Sequence, residues 1–127
     1  MTAPDETTDL NLKFDANGLI AAIAQDYQTK EILMMAWMNS DAFEKSLETG
    51  ETHYWSRSRS ELWHKGATSG AVQIIKEVRI DCDQDAIILM IDQQGSGACH
   101  TGRKTCFYRS IKKNGDLVFI DQKPTNT

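Results

Sequence analysis

No stretch of this 127-residue chain is apolar over anything near the roughly 18 residues that a membrane span requires. An apolar run such as Ala86 to Ile91 has only the length of a strand. The start, Met1 to Asp9, is polar and acidic, without the basic opening and apolar stretch of a secretory signal, which points to the cytoplasm. Only three cysteines are present, Cys82, Cys99 and Cys106. In a reducing compartment an odd number of thiols is poor material for a disulfide framework, which leaves metal binding, nucleophilic chemistry or plain burial. No repeat, low-complexity tract or linker divides the chain. GxGxxG, the P-loop pattern and the CxxC knuckle are all missing, so neither a dinucleotide nor a nucleoside-triphosphate site is indicated.

Apolar residues make up 40% and charged residues 25%, the balance of an ordinary globular domain. One domain over residues 1–127 is expected, with 1–9 and 122–127 as flexible tails. The net charge of −4 is unevenly spread: residues 1–51 hold three basic and ten acidic side chains, residues 52–127 eleven and eight. Four of those eight acids fall between Asp81 and Asp92. The C-terminal part therefore offers cation sites and anion sites together, which suits a phosphorylated substrate held with metal ions better than a long nucleic-acid track.

The pattern predicts a mainly β fold with one clear helix. Leu19 to Ala24 and Glu31 to Met38 read as strands. Asn39 or Ser40 caps a helix from Asp41 to Thr49 that Gly50 ends, with Ala42, Phe43 and Leu47 as its apolar stripe. Thr52 to Ser56 is β-prone, and Arg57 to Gly70 reads as a loop with one helical turn. Val72 to Ile80 alternates, which puts Ile74, Val78 and Ile80 on one face and Gln73, Glu77 and Arg79 on the other. Ala86 to Ile91 reads as a buried strand and Gln93 to Thr105 as a glycine-rich loop. Cys106 to Ile111 and Leu117 to Ile120 form the last strands around Asn114-Gly115.

The strand ending at Ile80 runs into DCDQD, where alternation puts Asp81, Asp83 and Asp85 on one face and Cys82 on the other. Three carboxylates so close suit a hard cation, Mg²⁺ or Ca²⁺; a solvated acidic turn has the same composition. Side chains two apart in a strand repeat at about 6.6–6.8 Å, whereas Mg²⁺ takes oxygens at roughly 2.0–2.1 Å. The segment is therefore expected to bend, or to bind through bridging waters. An EF-hand is excluded: Ala86 stands where the loop needs glycine, and Ile87 to Ile91 is a strand. Three thiolates with one open position would make a catalytic zinc site, and three buried cysteines in a β core are the alternative. His100, beside Cys99, is the one histidine adjoining a candidate ligand. In YWSRSRSELWHKGATSG, Arg57, Arg59 and Lys65 stand among hydroxyls that include Thr68 and Ser69, as suits a phosphate or a solvated loop; Trp55 and Trp63 suit a purine or a core.

RSRSELWHKGATSG, DCDQDA and ACHTGRKTCFYR together resemble, in order and spacing, the phosphoribosyl-AMP cyclohydrolases of histidine biosynthesis, over residues 30–111. The resemblance implies the single-function form. It implies an α+β, mainly β chain with a folded, pseudo-barrel-like mixed sheet and one or two short helices, in an intertwined homodimer. It implies hydrolysis of the adenine ring of N1-(5-phosphoribosyl)-AMP between N1 and C6. Asp81, Asp83 and Asp85 match the family's Mg²⁺ ligands. Cys82, Cys99 and Cys106 match its Zn²⁺ ligands, with Cys82 from one subunit and the other two from its partner. Where many members have Glu and Asn in KGETSGN, this chain has Ala67 and Ala71. The chemistry needs a proton taken and a proton given, with His100 as candidate carrier. Substrate contacts are expected from Arg57, Arg59, Trp63, Lys65, Thr68, Ser69 and Arg103. A zinc nucleobase deaminase would carry HxE and PCxxC, and neither is present. A non-catalytic, metal-stabilised module that binds nucleotide or RNA through Trp55, Trp63, Arg57 and Arg59 is the reading from another class, and the acidic balance opposes it. Neither nucleic acid nor membrane is an expected partner.

Overall fold

The computed structural model describes residues 6–121, so 1–5 and 122–127 of the expected tails lie outside the described residues. The carboxylate of Asp15 accepts from the amides of Asn17 and Leu19 at 2.8 and 3.0 Å, closing a turn that launches β1 (Ile20–Asp26). β2 (Ile32–Met38) returns antiparallel to it, and α1 (Ser40–Thr49) follows at once. Asn39 is the cap: its Oδ1 accepts from the Ala42 amide at 2.8 Å, and Gly50, at φ 76°, ends the helix by donating to the Ser46 carbonyl. The buried face of α1 is Ala42, Phe43 and Ser46, whereas Leu47 is 54% exposed. Ser46 displaces Leu47 from the expected stripe because its hydroxyl has partners there: it donates to the Ala42 carbonyl and accepts from the His53 amide, both at 2.8 Å.

β3 (His53–Ser56) and β4 (Glu61–His64) form a hairpin. The expected loop from Arg57 to Gly70 thus contains a strand, because Leu62 and Trp63 pair with Trp55 and Tyr54. β5 (Gln73–Ile80) and β6 (Ala86–Gln93) form a second hairpin, and β7 (Arg109–Ile111) and β8 (Leu117–Phe119) a third. β6 also lies parallel to β1, which gives a mixed four-stranded sheet in the order β2-β1-β6-β5. The mixed sheet and β-rich content are as expected, with one α-helix among the described residues. The sheet is open and not barrel-like, since among the described residues β2 and β5 are edges that no strand joins. The core packs Ile20, Ala22, Ile87, Leu89 and Ile91 against Phe43 and Tyr54. Each such large apolar side chain contributes about 1.5–3 kcal/mol when fully buried.

Two irregularities interrupt the sheet. Between Ala24 and Gln25 the register with β2 jumps from Met34 to Ile32, so Leu33 is an extra, bulged residue whose carbonyl is free for other partners. In β5 a bulge at Lys76 shifts the alternation by one: Ile75 pairs with Ile91 and Val78 with Leu89, whereas Ile74 stands opposite Asp92. Ile75 and Val78 therefore pack on the core, and Ile74 turns outward, against the expected stripe. The same shift carries Gln73, expected on the polar face, to a fully buried position.

Candidate active site

At one end of the sheet, residues 81–85 are the turn between β5 and β6, not a strand. The expected bend is present. Gln84 sits at φ 61°, in the left-handed region, and the carboxylate oxygens of Asp81, Asp83 and Asp85 come within 4.8 Å of one another on an exposed surface. Asp81 Oδ1 accepts from the amides of Asp85 and Ala86 at 2.9 and 3.1 Å. Slight desolvation opposes ionisation of Asp81, but its bonds from the Asp85 carboxyl and from these amides outweigh it and set its pKa below the usual value. Hydrogen bonding and repulsion from Asp81 and Asp83 push Asp85 up to about 6. The cluster is thus a concentration of negative charge that a cation would relieve. Gln84 clasps the N-terminal segment to this turn: its side chain donates to the Asp9 carbonyl and accepts from the Asn11 amide, and its carbonyl accepts from Lys13.

Cys82 is exposed on this turn. The other two cysteines lie beyond the far end of β6. The carbonyl released by the bulge at Leu33 accepts from the Cys106 amide at 2.7 Å, and the neighbouring Ile32 carbonyl accepts from the Thr105 hydroxyl at 2.8 Å, which fixes the loop on β2. Cys99 is buried, and the Thr101 hydroxyl donates to its Sγ at 3.1 Å. Burial works against ionising Cys99, but Thr101, the Cys106 thiol and Arg103 overcome it and the net shift is downward. Loss of water and the adjacent Cys99 push the Cys106 thiol up to about 11. Two thiols with pKa values displaced in opposite directions are soft donors that a soft cation would deprotonate on binding. Cys82 does not join them within the chain: it lies on the turn that precedes Ala86, whereas the Cys106 amide is anchored at Leu33, level with Leu89 and Met90 two strands away.

Lys65 is buried, not a surface cation. Its Nζ donates to the Ala98 carbonyl at 2.7 Å and lies 5.4 Å from the Trp63 ring centre. It therefore pegs the β3–β4 hairpin to the cysteine loop, and burial lowers its pKa although the two thiols pull the other way. The backbone allows this close packing only through glycine: a Cβ on Gly66 would meet the Ala71 carbonyl carbon at 2.2 Å, and one on Gly97 the Arg103 oxygen at 2.4 Å. Arg103 is buried as well, its guanidinium 4.0 Å from the Tyr108 ring centre and its Nε without a protein partner. His100 is exposed immediately after Cys99.

Arg57, Arg59, Thr68 and Ser69 are exposed around the β3–β4 hairpin, together with a half-exposed Trp63. A cleft of about 460 Å³ between the hairpin and the following loop is lined by Arg59, Thr68, Ser58, Glu61 and His64. The sequence alone does not single out Glu61, whose segment reads as loop, or His64, which adjoins no candidate metal ligand. Cross-strand pairing stacks His64 on the buried His53 at 4.3 Å, and Glu51 Oε1 lies 2.9 Å from His64 Nε2. The signal was available in the HYW and LWH tripeptides, whose register sets histidine against histidine.

The phosphoribosyl-AMP cyclohydrolase family model matches residues 34–108. A phosphoribosyl-AMP cyclohydrolase of Hyphomonas neptunium is 60% identical over 118 residues, 93% of this chain and 88% of that one. One of Methanococcoides burtonii is 63% identical over 107 residues, 84% and 86% of the two chains. The histidine biosynthesis bifunctional protein of Prochlorococcus marinus is 62% identical over 100 residues, and the match spans 45% of its length.

Proposed function

The chain belongs to the phosphoribosyl-AMP cyclohydrolase family, hydrolases of histidine biosynthesis, and from that premise we propose that it hydrolyses the N1–C6 bond of the adenine ring of 1-(5-phosphoribosyl)-AMP with the help of two metal ions. The observation that carries this reading is the paired thiols of Cys99 and Cys106 beside Lys65, with the Asp81, Asp83 and Asp85 carboxylates gathered on a separate turn. The donor chemistry fits two different ions: sulfur for Zn²⁺ at the cysteines and oxygen for Mg²⁺ at the aspartates. The cysteine thiolates would hold Zn²⁺, whose chemistry there would be to lower the pKa of water to about 7.

The remaining tasks fall to side chains of this chain. Substitution at N1 disturbs the aromatic bonding of the purine and makes C6 electrophilic. Addition of water there gives a tetrahedral carbon, and cleavage of C6–N1 leaves a carboxamide on the imidazole and a formamidine arm. His100, exposed beside Cys99, takes the proton from water and returns one to N1. Arg57, Arg59, Thr68 and Ser69 bind the phosphates and Trp63 the base. Lys65 and Arg103, both buried, keep the hairpin and the cysteine loop in place for them.

A zinc site with all three cysteines needs two copies of the chain, because Cys82 lies at the opposite end of the sheet from Cys99 and Cys106. The working unit is a homodimer in which Cys82 faces the partner subunit's Cys99 and the partner's Cys106. Two measurements test the proposal. Chelated protein should lose the absorbance change it produces with phosphoribosyl-AMP and regain it with zinc; full turnover without metal would refute the metal dependence. Cys82→Ser and Cys99→Ser proteins, each inactive, should recover up to one working site per mixed dimer when subunits exchange. No recovery despite demonstrated exchange would place each zinc site within one chain.

A further inference from the structure

The β3–β4 hairpin separates two adjoining hollows. The first is the 460 Å³ cleft with Arg59. The second, about 560 Å³, lies between the hairpin and β2, and Trp37, Trp55, Trp63 and Arg57 line it. Those are all three tryptophans of the chain. Ser56, Ser58 and Trp63 line both hollows, so they meet there. Both volumes fall in the range of about 300–1,000 Å³ common for small-molecule sites. The turn that joins the strands, Ser56 to Ser60, carries one arginine for each hollow. Arg57 lies 5.0 Å from the Trp37 ring centre, and Ser56 Oγ accepts from the Arg59 amide at 3.3 Å.

The chemistry of the two hollows differs. The second is aromatic and has no carboxylate in its wall, so it suits a purine face with an anion beside it. The first has Glu61, Thr68 and His64 along with Arg59. A carboxylate there would repel a bare phosphate, yet it accepts hydrogen bonds from a sugar diol, while Arg59 takes the phosphate.

We infer that the hairpin provides two separate anion seats, one on each side: the tryptophan groove with Arg57 for a purine nucleoside monophosphate, and the cleft with Arg59 and Glu61 for a second ribose phosphate. The inference rests on the proposed substrate, whose purine carries a phosphoribosyl group at each of two nitrogens; its test does not rest on turnover. The probes are AMP and ribose 5-phosphate, read by tryptophan fluorescence and calorimetry on the metal-loaded protein. Wild-type protein saturated with AMP should still bind ribose 5-phosphate. Arg57→Ala should weaken AMP about ten- to a hundredfold, the loss expected when one charge-assisted hydrogen bond goes. Arg59→Ala should leave AMP affinity within twofold and abolish the second binding event. Displacement of AMP by ribose 5-phosphate, or an equal loss of AMP affinity in both variants, would mean a single seat and overturn the inference. Absence of hydrolysis with both binding events intact would instead count against the proposed reaction alone.

Discussion

Gln73 is the residue whose replacement should be felt most widely, and its bonds allow the effect to be estimated. Its Oε1 accepts from the Tyr54 hydroxyl at 2.6 Å and the Thr52 hydroxyl at 2.8 Å, and its Nε2 donates to Gln93 Oε1 at 2.8 Å. Gln93 in turn donates to the carbonyl of Ala71 at 3.0 Å, which connects the network to the loop behind the hairpin. Tyr54, Thr52 and Gln73 are all fully buried. Tyr54→Phe deletes one bond and leaves Gln73 Oε1 satisfied by Thr52, so it should cost about 0.5–1.5 kcal/mol. Gln73→Met strands two hydroxyls and one amide oxygen; at about 1–3 kcal/mol for each stranded group the loss should be roughly 3–9 kcal/mol. In a domain of this size each kcal/mol is worth about 4 °C of Tm. The informative measurement is the double variant in urea unfolding. With Gln73→Met already in place the Tyr54 hydroxyl has lost its acceptor, so adding Tyr54→Phe should restore about 1 kcal/mol. A second substitution that destabilises both backgrounds equally would refute the idea that Gln73 is the shared acceptor.

Three further outcomes are expected. Gly66→Ala, whose added Cβ would meet backbone at 2.2 Å, should lose about 3 kcal/mol or more in chemical denaturation, whereas Gly50→Ala, at a similar φ but with open space around it, should lose only about 1. Burial holds the His53 imidazole below its usual 6.5 in spite of the Glu51 carbonyl at Nδ1. The unfolded chain therefore takes up that proton first, so stability is full above 6.5 and declines as pH falls from there to the native pKa; His53→Asn should flatten that part of the profile. Lys65→Met removes the peg to Ala98 and the cation beside two thiols, so zinc content after dialysis against a weak chelator should drop severalfold while Asp83→Asn leaves it unchanged. Equal zinc retention in Lys65→Met would deny the lysine that role.

Much of this was legible in the residues because local rules settle it. Asn39 and Gly50 mark the helix ends through caps that need no tertiary help, and Ala86 to Ile91, an unbroken apolar run of strand length, reads as the buried strand that it is. The motifs around Asp81, Cys99 and Arg57 single out the residues of the candidate site. What escaped is what depends on distant contacts. The bulge at Lys76 reverses the faces of β5 and is fixed by pairing with β6, so periodicity read along Val72 to Ile80 pointed Ile74 inward and Gln73 outward. The strand at Glu61 is set by Tyr54 and Trp55 across the turn, not by its own four residues. Burial of Lys65 and Arg103 is invisible in a string that shows only their charge; it follows from the bulge at Leu33, which gives the cysteine loop its point of attachment.

The parallel pairing of β1 with β6 also dictates how the chain must be made. Ala21 lies beside Ala86, so 65 residues separate the two strands in the order of synthesis. At about 5–20 residues per second, β1 and β2 leave the ribosome roughly 3–13 s before β6 exists. During that interval the Ile20–Met38 hairpin has β1 as an open edge, and IAAIA and ILMMAWM have no sheet to join. The nascent chain is therefore most prone to aggregation before residue 86 is added, and slowing translation between Gly50 and Ala86 should lower soluble yield more than slowing it after Gln93.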